Sequence, residues 1–98
     1  MLPVIRAPSA EADLTEILDY LNERSPPAAR RFATALTERC RLLGTSPKMG
    51  RARDEIAPGV RSVVVEKYIV LYRPTPEAVL ILRIMHGSRD LSNAIDDE

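Results

Sequence analysis

The sequence is poor in the residues that hold metals and staple small domains. It contains one cysteine, Cys40, and one histidine, His86, and no tryptophan. A single cysteine excludes an internal disulfide, and these two residues alone cannot complete a usual zinc site. The four glycines, at positions 44, 50, 59 and 87, do not follow the spacing of a phosphate-binding loop. We therefore expect no metal ion and no cofactor.

Long hydrophobic runs are also missing. The apolar run Ala78–Leu82 stops at Arg83, far short of the roughly 18 residues that a membrane span needs. The start, Met1–Arg6, has neither the basic stretch nor the long apolar stretch of a secretory signal. The sequence predicts a cytoplasmic protein without a membrane partner.

The sequence has no excess of either positive or negative charge. Fourteen basic residues balance fourteen acidic ones, whereas proteins that grip phosphate backbones usually carry a net positive charge. We therefore expect no direct sequence-specific binding of DNA by this chain. The second half is mildly basic up to Asp90 and ends in the acidic residues Asp96–Glu98.

The pattern of apolar residues predicts one α+β domain over residues 1–98. Apolar residues at i, i+3, i+4 and i+7 indicate a first helix over about Ala10–Arg24, with Ser9 as its N-cap. Ser25 and Pro26 are suited to begin a second helix. That helix ends near Gly44, which is typical of a residue after a helix C-terminus.

Strands rich in β-branched residues follow the helical hairpin. The predicted strands are Leu2–Arg6, Arg61–Glu66, Tyr68–Arg73 and Ala78–Met85. The last three are joined by links too short for parallel crossovers, so we expect antiparallel neighbours. The predicted order is β-α-α-β-β-β, with the hairpin packed on a small antiparallel sheet.

Strict alternation assigns two faces to the last strand. It places Leu80, Leu82, Ile84 and His86 toward the helices, and Val79, Ile81, Arg83 and Met85 on the opposite face. The second set is too apolar for a wholly solvated surface. It is covered either by a partner segment or by the tail and loops of the chain itself.

The one plausible catalytic set combines His86 with Arg61, Arg83 and Arg89. Histidine transfers protons near neutral pH, and arginines stabilise the charge of a phosphodiester during RNA cleavage. Alternation opposes this set, because it points Arg83 and His86 to opposite faces. The alternative is a structural histidine bonded to Asp90 or to a backbone carbonyl.

Read in order, the residues resemble the ParE/RelE superfamily of toxins from type II toxin–antitoxin modules, and most closely its ParE branch, the plasmid stabilization proteins. The matching segments run along almost the whole chain: Ala12-Asp13-Leu14, Tyr20-Leu21, Ser25-Pro26, Ser46–Arg51, Pro58–Ser62, Tyr68–Arg73 and Ile81–Asp90. No single segment is diagnostic, and the resemblance lies in their joint order and spacing.

The resemblance implies one of two toxic activities. RelE-like members cleave messenger RNA on the ribosome, and Arg61, Arg83 and His86 match positions where such nucleases carry functional groups. ParE-like members inhibit DNA gyrase and have no catalytic residues of their own. The zero net charge, the absence of a tyrosine after Tyr72 and the absence of a lysine pair in residues 51–56 favour the gyrase inhibitor.

The resemblance also implies an antitoxin as partner. A ParD-like antitoxin would form a hetero-oligomer with the chain, through a flexible segment that folds on the toxin. A family member that has lost toxicity and only binds antitoxin is a third alternative. Candidate residues for contact with a partner are Arg51, Arg53, Arg61, Val79, Ile81, Arg83, Met85 and Arg89.

Overall fold

Two helices and a five-stranded sheet make up residues 1–95, the part of the chain that the computed structural model describes. The acidic residues 96–98 lie outside it. In chain order the elements are β1 (Val4–Arg6), α1 (Pro8–Arg24), α2 (Pro26–Thr45), β2 (Arg51–Ala52), β3 (Arg61–Val65), β4 (Tyr68–Pro74) and β5 (Val79–His86).

The sheet has the order β1-β5-β4-β3-β2. The antiparallel pairing of β3, β4 and β5 is confirmed, and so is the α+β class. The sheet as a whole is mixed, because β1 runs parallel to β5 with Val4 opposite Val79. Short links dictate direction only between consecutive strands, and two helices separate β1 from the rest. The two-residue strand β2, which the sequence did not predict, pairs with Arg61 and Ser62.

Both helices begin at a proline, and only one of the two serines considered as caps has that role. Helix α1 begins at Pro8 with Ala7 as its N-cap and no side-chain cap, so the prediction of Ser9 as cap is wrong. Proline is pre-organised for the first helical position and lacks the N–H that a cap would satisfy. Ser25 does cap α2, since its side chain accepts a hydrogen bond from the Ala28 N–H at 3.3 Å.

Gly44 has a role that differs from the predicted one. It lies inside α2, where its carbonyl accepts a hydrogen bond from the Leu2 N–H at 2.9 Å. A Cβ atom at this position would lie 2.7 Å from the Leu2 carbonyl oxygen. Glycine is therefore required by the close approach of the amino-terminal segment, not by the end of the helix.

The main core fills the space between the helices and one face of the sheet. Phe32 and Tyr72 are its largest fully buried side chains, and the rings of Phe32 and Tyr68 lie 5.0 Å apart. The Tyr72 hydroxyl donates to the Pro47 carbonyl and accepts from the Gly50 N–H. Through these two bonds the core fixes the loop that follows α2.

A β-bulge in β5 overturns the predicted faces of Val79–Leu82, whereas residues 83–86 face as predicted. Leu71 lies opposite Arg83 but Tyr72 lies opposite Ile81, so Leu82 is an extra residue. One inserted residue inverts the alternation along a strand. Val79 and Ile81 are therefore 0% exposed beneath the helices. Leu82, predicted to face the helices, packs on the opposite face instead.

The opposite face of the sheet carries a second, smaller cluster. It contains the buried residues Ala57, Val60, Leu71 and Ala94, with Leu82, Met85 and Ile95 packed around them. Ala94 and Ile95 belong to the segment after β5. The chain itself thus covers this face, which was one of the two predicted alternatives.

Removing the Phe32 ring tests the main core. Phe32 is 2% exposed, and replacing a buried phenylalanine by alanine typically costs about 3–5 kcal/mol. We expect Phe32→Ala to lower the free energy of unfolding in a urea melt by that amount. Val64→Ala is the control, because Val64 is 59% exposed and should change stability by less than about 1 kcal/mol. Equal effects of the two substitutions would contradict the assignment of the core.

Candidate functional site

A groove of about 610 Å³ lies between α1, the start of α2 and the end of β5. Beyond Ile81, no strand within residues 1–95 lies on the outer side of β5, because β1 pairs only with residues 79–81. The groove occupies this position, and the turn between β3 and β4 closes it at one end. Its apolar wall includes Ile17, Leu21, Phe32 and Ile84.

Basic side chains outnumber acidic ones around the groove. Five bases and three acids line it, a net charge of +2: Arg24, Arg31, Lys67, Arg83 and Arg89 against Asp13, Glu16 and Glu66. Tyr20 and Tyr68 add aromatic surface, and the Arg24 guanidinium lies 4.5 Å from the centre of the Tyr20 ring. An acidic group with apolar neighbours fits this combination best.

Arg83 and Asp13 form a two-point ion pair at the groove. Arg83 donates from Nε to Asp13 Oδ2 at 2.7 Å and from Nη2 to Asp13 Oδ1 at 3.0 Å. Asp13 Oδ2 also accepts from the Ile84 N–H at 2.9 Å. This two-point ion pair raises the pKa of the Arg83 guanidinium above its usual value. Asp13 thus satisfies the edge of β5 where β1 has ended.

His86 lies at the rim of the groove and is held by its own turn. Its Nδ1 accepts a hydrogen bond from the Ser88 N–H at 3.1 Å and lies 2.8 Å from the Ser88 hydroxyl. Its ring meets Tyr68 edge-on, with centroids 5.4 Å apart. The predicted bond to Asp90 is wrong. Asp90 instead accepts from the Ser92 N–H and hydroxyl, which lower the pKa of its carboxyl group.

Arg61 lies away from the groove. Its Nη1 donates to the carbonyl oxygens of Gly50 at 2.7 Å and Lys48 at 3.2 Å, so it braces the loop after α2. The predicted set of Arg61, Arg83 and His86 is therefore divided. Arg83 and His86 stand on opposite faces of β5, as alternation predicts, because Arg83 lies opposite Leu71 and His86 opposite Tyr68. Both still line the groove, since the long Arg83 side chain reaches Asp13 on α1. Arg61 does not line it.

Comparison with known proteins identifies the family. Residues 4–91 match the family model described as ParE toxin of type II toxin–antitoxin system, parDE. The chain belongs to this family. It is a type II toxin–antitoxin toxin of the ParE/RelE superfamily.

Individual relatives carry both branch names. Toxin ParE1 of Mycobacterium tuberculosis is 31% identical over 87 residues, which cover 87% of this chain and 89% of the relative. Toxin RelE2 of Caulobacter vibrioides is 36% identical over 89 residues, 91% of this chain and 99% of the relative. A structure of the chromosomal ParDE TA system from P. aeruginosa matches with a TM-score of 0.71 and 27% identity, over 88% of this chain and 96% of that one.

The other predicted contact residues of the toxin are spread over the molecule. Arg89 and Met85 line the groove. Arg51 is exposed on β2, and Arg53 lies beside Glu55 with Nε and Oε2 3.6 Å apart. Val79 and Ile81 are buried beneath the helices, so neither is placed to meet a partner.

Several residues that line the groove were not predicted from the sequence as site residues. Tyr20 and Arg24 follow Ile17 at helical spacing, which places all three on one face of α1. Lys67 lies in the tight turn before β4. These positions could have been recognised from the sequence. The role of Asp13 had no local signal, because its partner Arg83 is 70 residues away.

Within residues 1–95, no group of three or more histidine, cysteine or acidic side chains is placed to hold a metal ion. No helix in the same range is long and apolar enough to cross a membrane.

The contribution of Asp13 to stability can be measured by its removal. Its side chain is 14% exposed and that of Arg83 28%, so the pair is partly screened by water. We expect Asp13→Ala to lower the free energy of unfolding by about 2 kcal/mol, within the range for hydrogen bonds to charged groups. Asp19→Ala is the matched control, since Asp19 is exposed on the same helix. A loss no greater than that of the control would show that the pair is not structural.

Proposed function

We propose that this toxin inhibits DNA gyrase, that it acts in the cytoplasm, and that a ParD-like antitoxin neutralises it in a hetero-oligomer. The gyrase proposal rests on the hydrogen bonds of the residues that a nuclease would use for catalysis. Arg61 is bound to carbonyl groups of its neighbouring loop, and Arg83 is bound to Asp13. Among residues 1–95, these two arginines and His86 do not form one site.

Charge supports the same proposal. The chain is neutral overall, and the groove's excess is only two charges. A protein that holds a messenger RNA against the ribosome needs a stronger positive field, because its affinity depends on contacts with phosphates. A protein that acts by binding gyrase needs no catalytic group of its own.

Ribosome-dependent cleavage of messenger RNA is the second candidate function. Two observations favour it: Arg83 and His86 line the same groove, and one of the relatives is named toxin RelE2. Against it, the guanidinium of Arg83 is engaged by a carboxylate, which cancels the charge that a phosphodiester would require.

The groove is the surface that we propose for the antitoxin. The apolar face opposite the helices is already covered by Ala94 and Ile95, so it does not serve as the surface for a partner segment. The groove is open, basic at its rim and aromatic along α1. A segment with apolar anchors and acidic neighbours fits it, as in other complexes where a disordered segment folds on its partner.

The target is tested with purified toxin in two assays. We expect the protein to inhibit DNA supercoiling by gyrase and to leave ribosome-bound messenger RNA intact. His86→Ala should retain the inhibition, because no chemical step belongs to the toxin. In a nuclease the same change would remove a proton-transfer group worth about 10²–10⁴ in rate. Cleavage of messenger RNA that disappears in His86→Ala would establish the nuclease, and inactivity in both assays would leave antitoxin binding as the sole function.

The antitoxin surface is tested by reversing one charge at the groove rim. Arg31→Glu should weaken binding of a ParD-like antitoxin by about tenfold or less at low salt, since rim charges act mainly on association. Arg30→Glu is the matched control, because Arg30 is exposed on the same helix but does not line the groove. Equal losses for both variants, measured by titration calorimetry, would place the antitoxin elsewhere.

A further inference from the structure

In the described part of the chain, the segment after β5 is attached to the rest of the toxin by one small apolar cluster and one hydrogen bond. Of residues 90–95, which we call the C-terminal segment, only Ala94 is fully buried. The hydrogen bonds of Ser92 and of the Ala94 N–H stay within the segment. Within residues 1–95, one hydrogen bond joins the segment to the sheet and helices, from Arg83 Nη1 to the Ala94 carbonyl at 2.9 Å.

Arg83 therefore contacts two parts of the molecule at once. Its Nε and Nη2 are bound by Asp13 on α1, and its Nη1 holds Ala94 on the other side of the sheet. This reach is possible because Arg83 lies at the bulge, on the length of β5 that β1 does not cover. The planar guanidinium offers its donors in a fixed fork, so Asp13 also sets the direction in which Nη1 points.

We propose that Arg83 is a positioning residue that fastens the C-terminal segment over the second face of the sheet, and that Asp13 controls this fastening from α1. Release of the segment uncovers the apolar residues Val60, Leu71 and Leu82. It also frees Nη1 of Arg83 at the groove. This attachment does not depend on the proposed target, because Asp13, Arg83 and the C-terminal segment all belong to this chain.

The chemistry of the pair explains why Arg83 is required. Lysine can retain an ion pair with Asp13, but its single ammonium cannot also reach across to Ala94 in the fork geometry. Arg83→Lys therefore separates the two functions of the residue. It keeps the charge of the groove and removes the attachment of the C-terminal segment.

A single tryptophan gives a direct reading of this attachment. The natural chain has no tryptophan, so Ile95→Trp places the only indole on the C-terminal segment. In that background we expect Arg83→Lys to shift the emission to longer wavelength and to increase quenching by acrylamide. Asp13→Asn should act in the same direction. Adding Asp13→Asn to Arg83→Lys should produce no further change, because Asp13 acts through Arg83.

A control variant and a second measurement distinguish release of the C-terminal segment from destabilisation of the whole fold. Arg89→Gln removes a neighbouring exposed arginine and should leave the emission unchanged. Hydrogen–deuterium exchange in the chain without the tryptophan gives a second readout. Exchange across residues 91–94 should rise about tenfold or more in Arg83→Lys, as the loss of a charge-assisted hydrogen bond implies, while the core of β4 stays protected. Unchanged emission and exchange in Arg83→Lys would overturn the proposal, and additive effects of the two substitutions would overturn the role of Asp13.

Discussion

The contact between Asp13 and Arg83 is the interaction on which the arrangement of the groove depends. Strand β1 covers only the first part of β5, and a strand edge left open exposes unpaired backbone groups. Where β1 ends, the Asp13 carboxylate accepts hydrogen bonds from the Ile84 N–H and from Nε and Nη2 of Arg83. One side chain of α1 thereby fixes the helix against the sheet, satisfies the edge and orients the arginine nearest the groove.

This arrangement changes the interpretation of the most suggestive residues of the toxin. An arginine and a histidine at the end of a strand are typical of a site that cleaves RNA. In this structure the arginine is held by a carboxylate, and the histidine is held by the Ser88 N–H of its own turn. Both residues therefore have structural partners, which is compatible with a toxin that acts by binding. Fold and family are common to both kinds of toxin, so the distinction lies in these contacts.

The sequence was sufficient to predict both helices and the longer strands, but not the strand β2 or the arrangement of the site. Helical spacing located both helices, and Ser25 was correctly predicted as the cap of α2 because capping is a local property. The faces of Val79–Leu82 in β5 were predicted wrongly because a bulge at Leu82 leaves no signature in the pattern of apolar residues. Asp13 has no feature in the sequence that sets it apart from the other acidic residues of the first helix. Its role arises from a contact across 70 residues, which no local pattern contains.

Arg83 is bound within the protein by Asp13 and Ala94 and is therefore not free to bind a ligand. Nuclear magnetic resonance of the arginine Nε–H groups measures this directly, through their exchange with water. We expect the Arg83 Nε–H to exchange much more slowly than that of exposed Arg30, and Asp13→Asn to remove the difference. Exchange of the Arg83 Nε–H as fast as that of Arg30 in the unaltered toxin would contradict it.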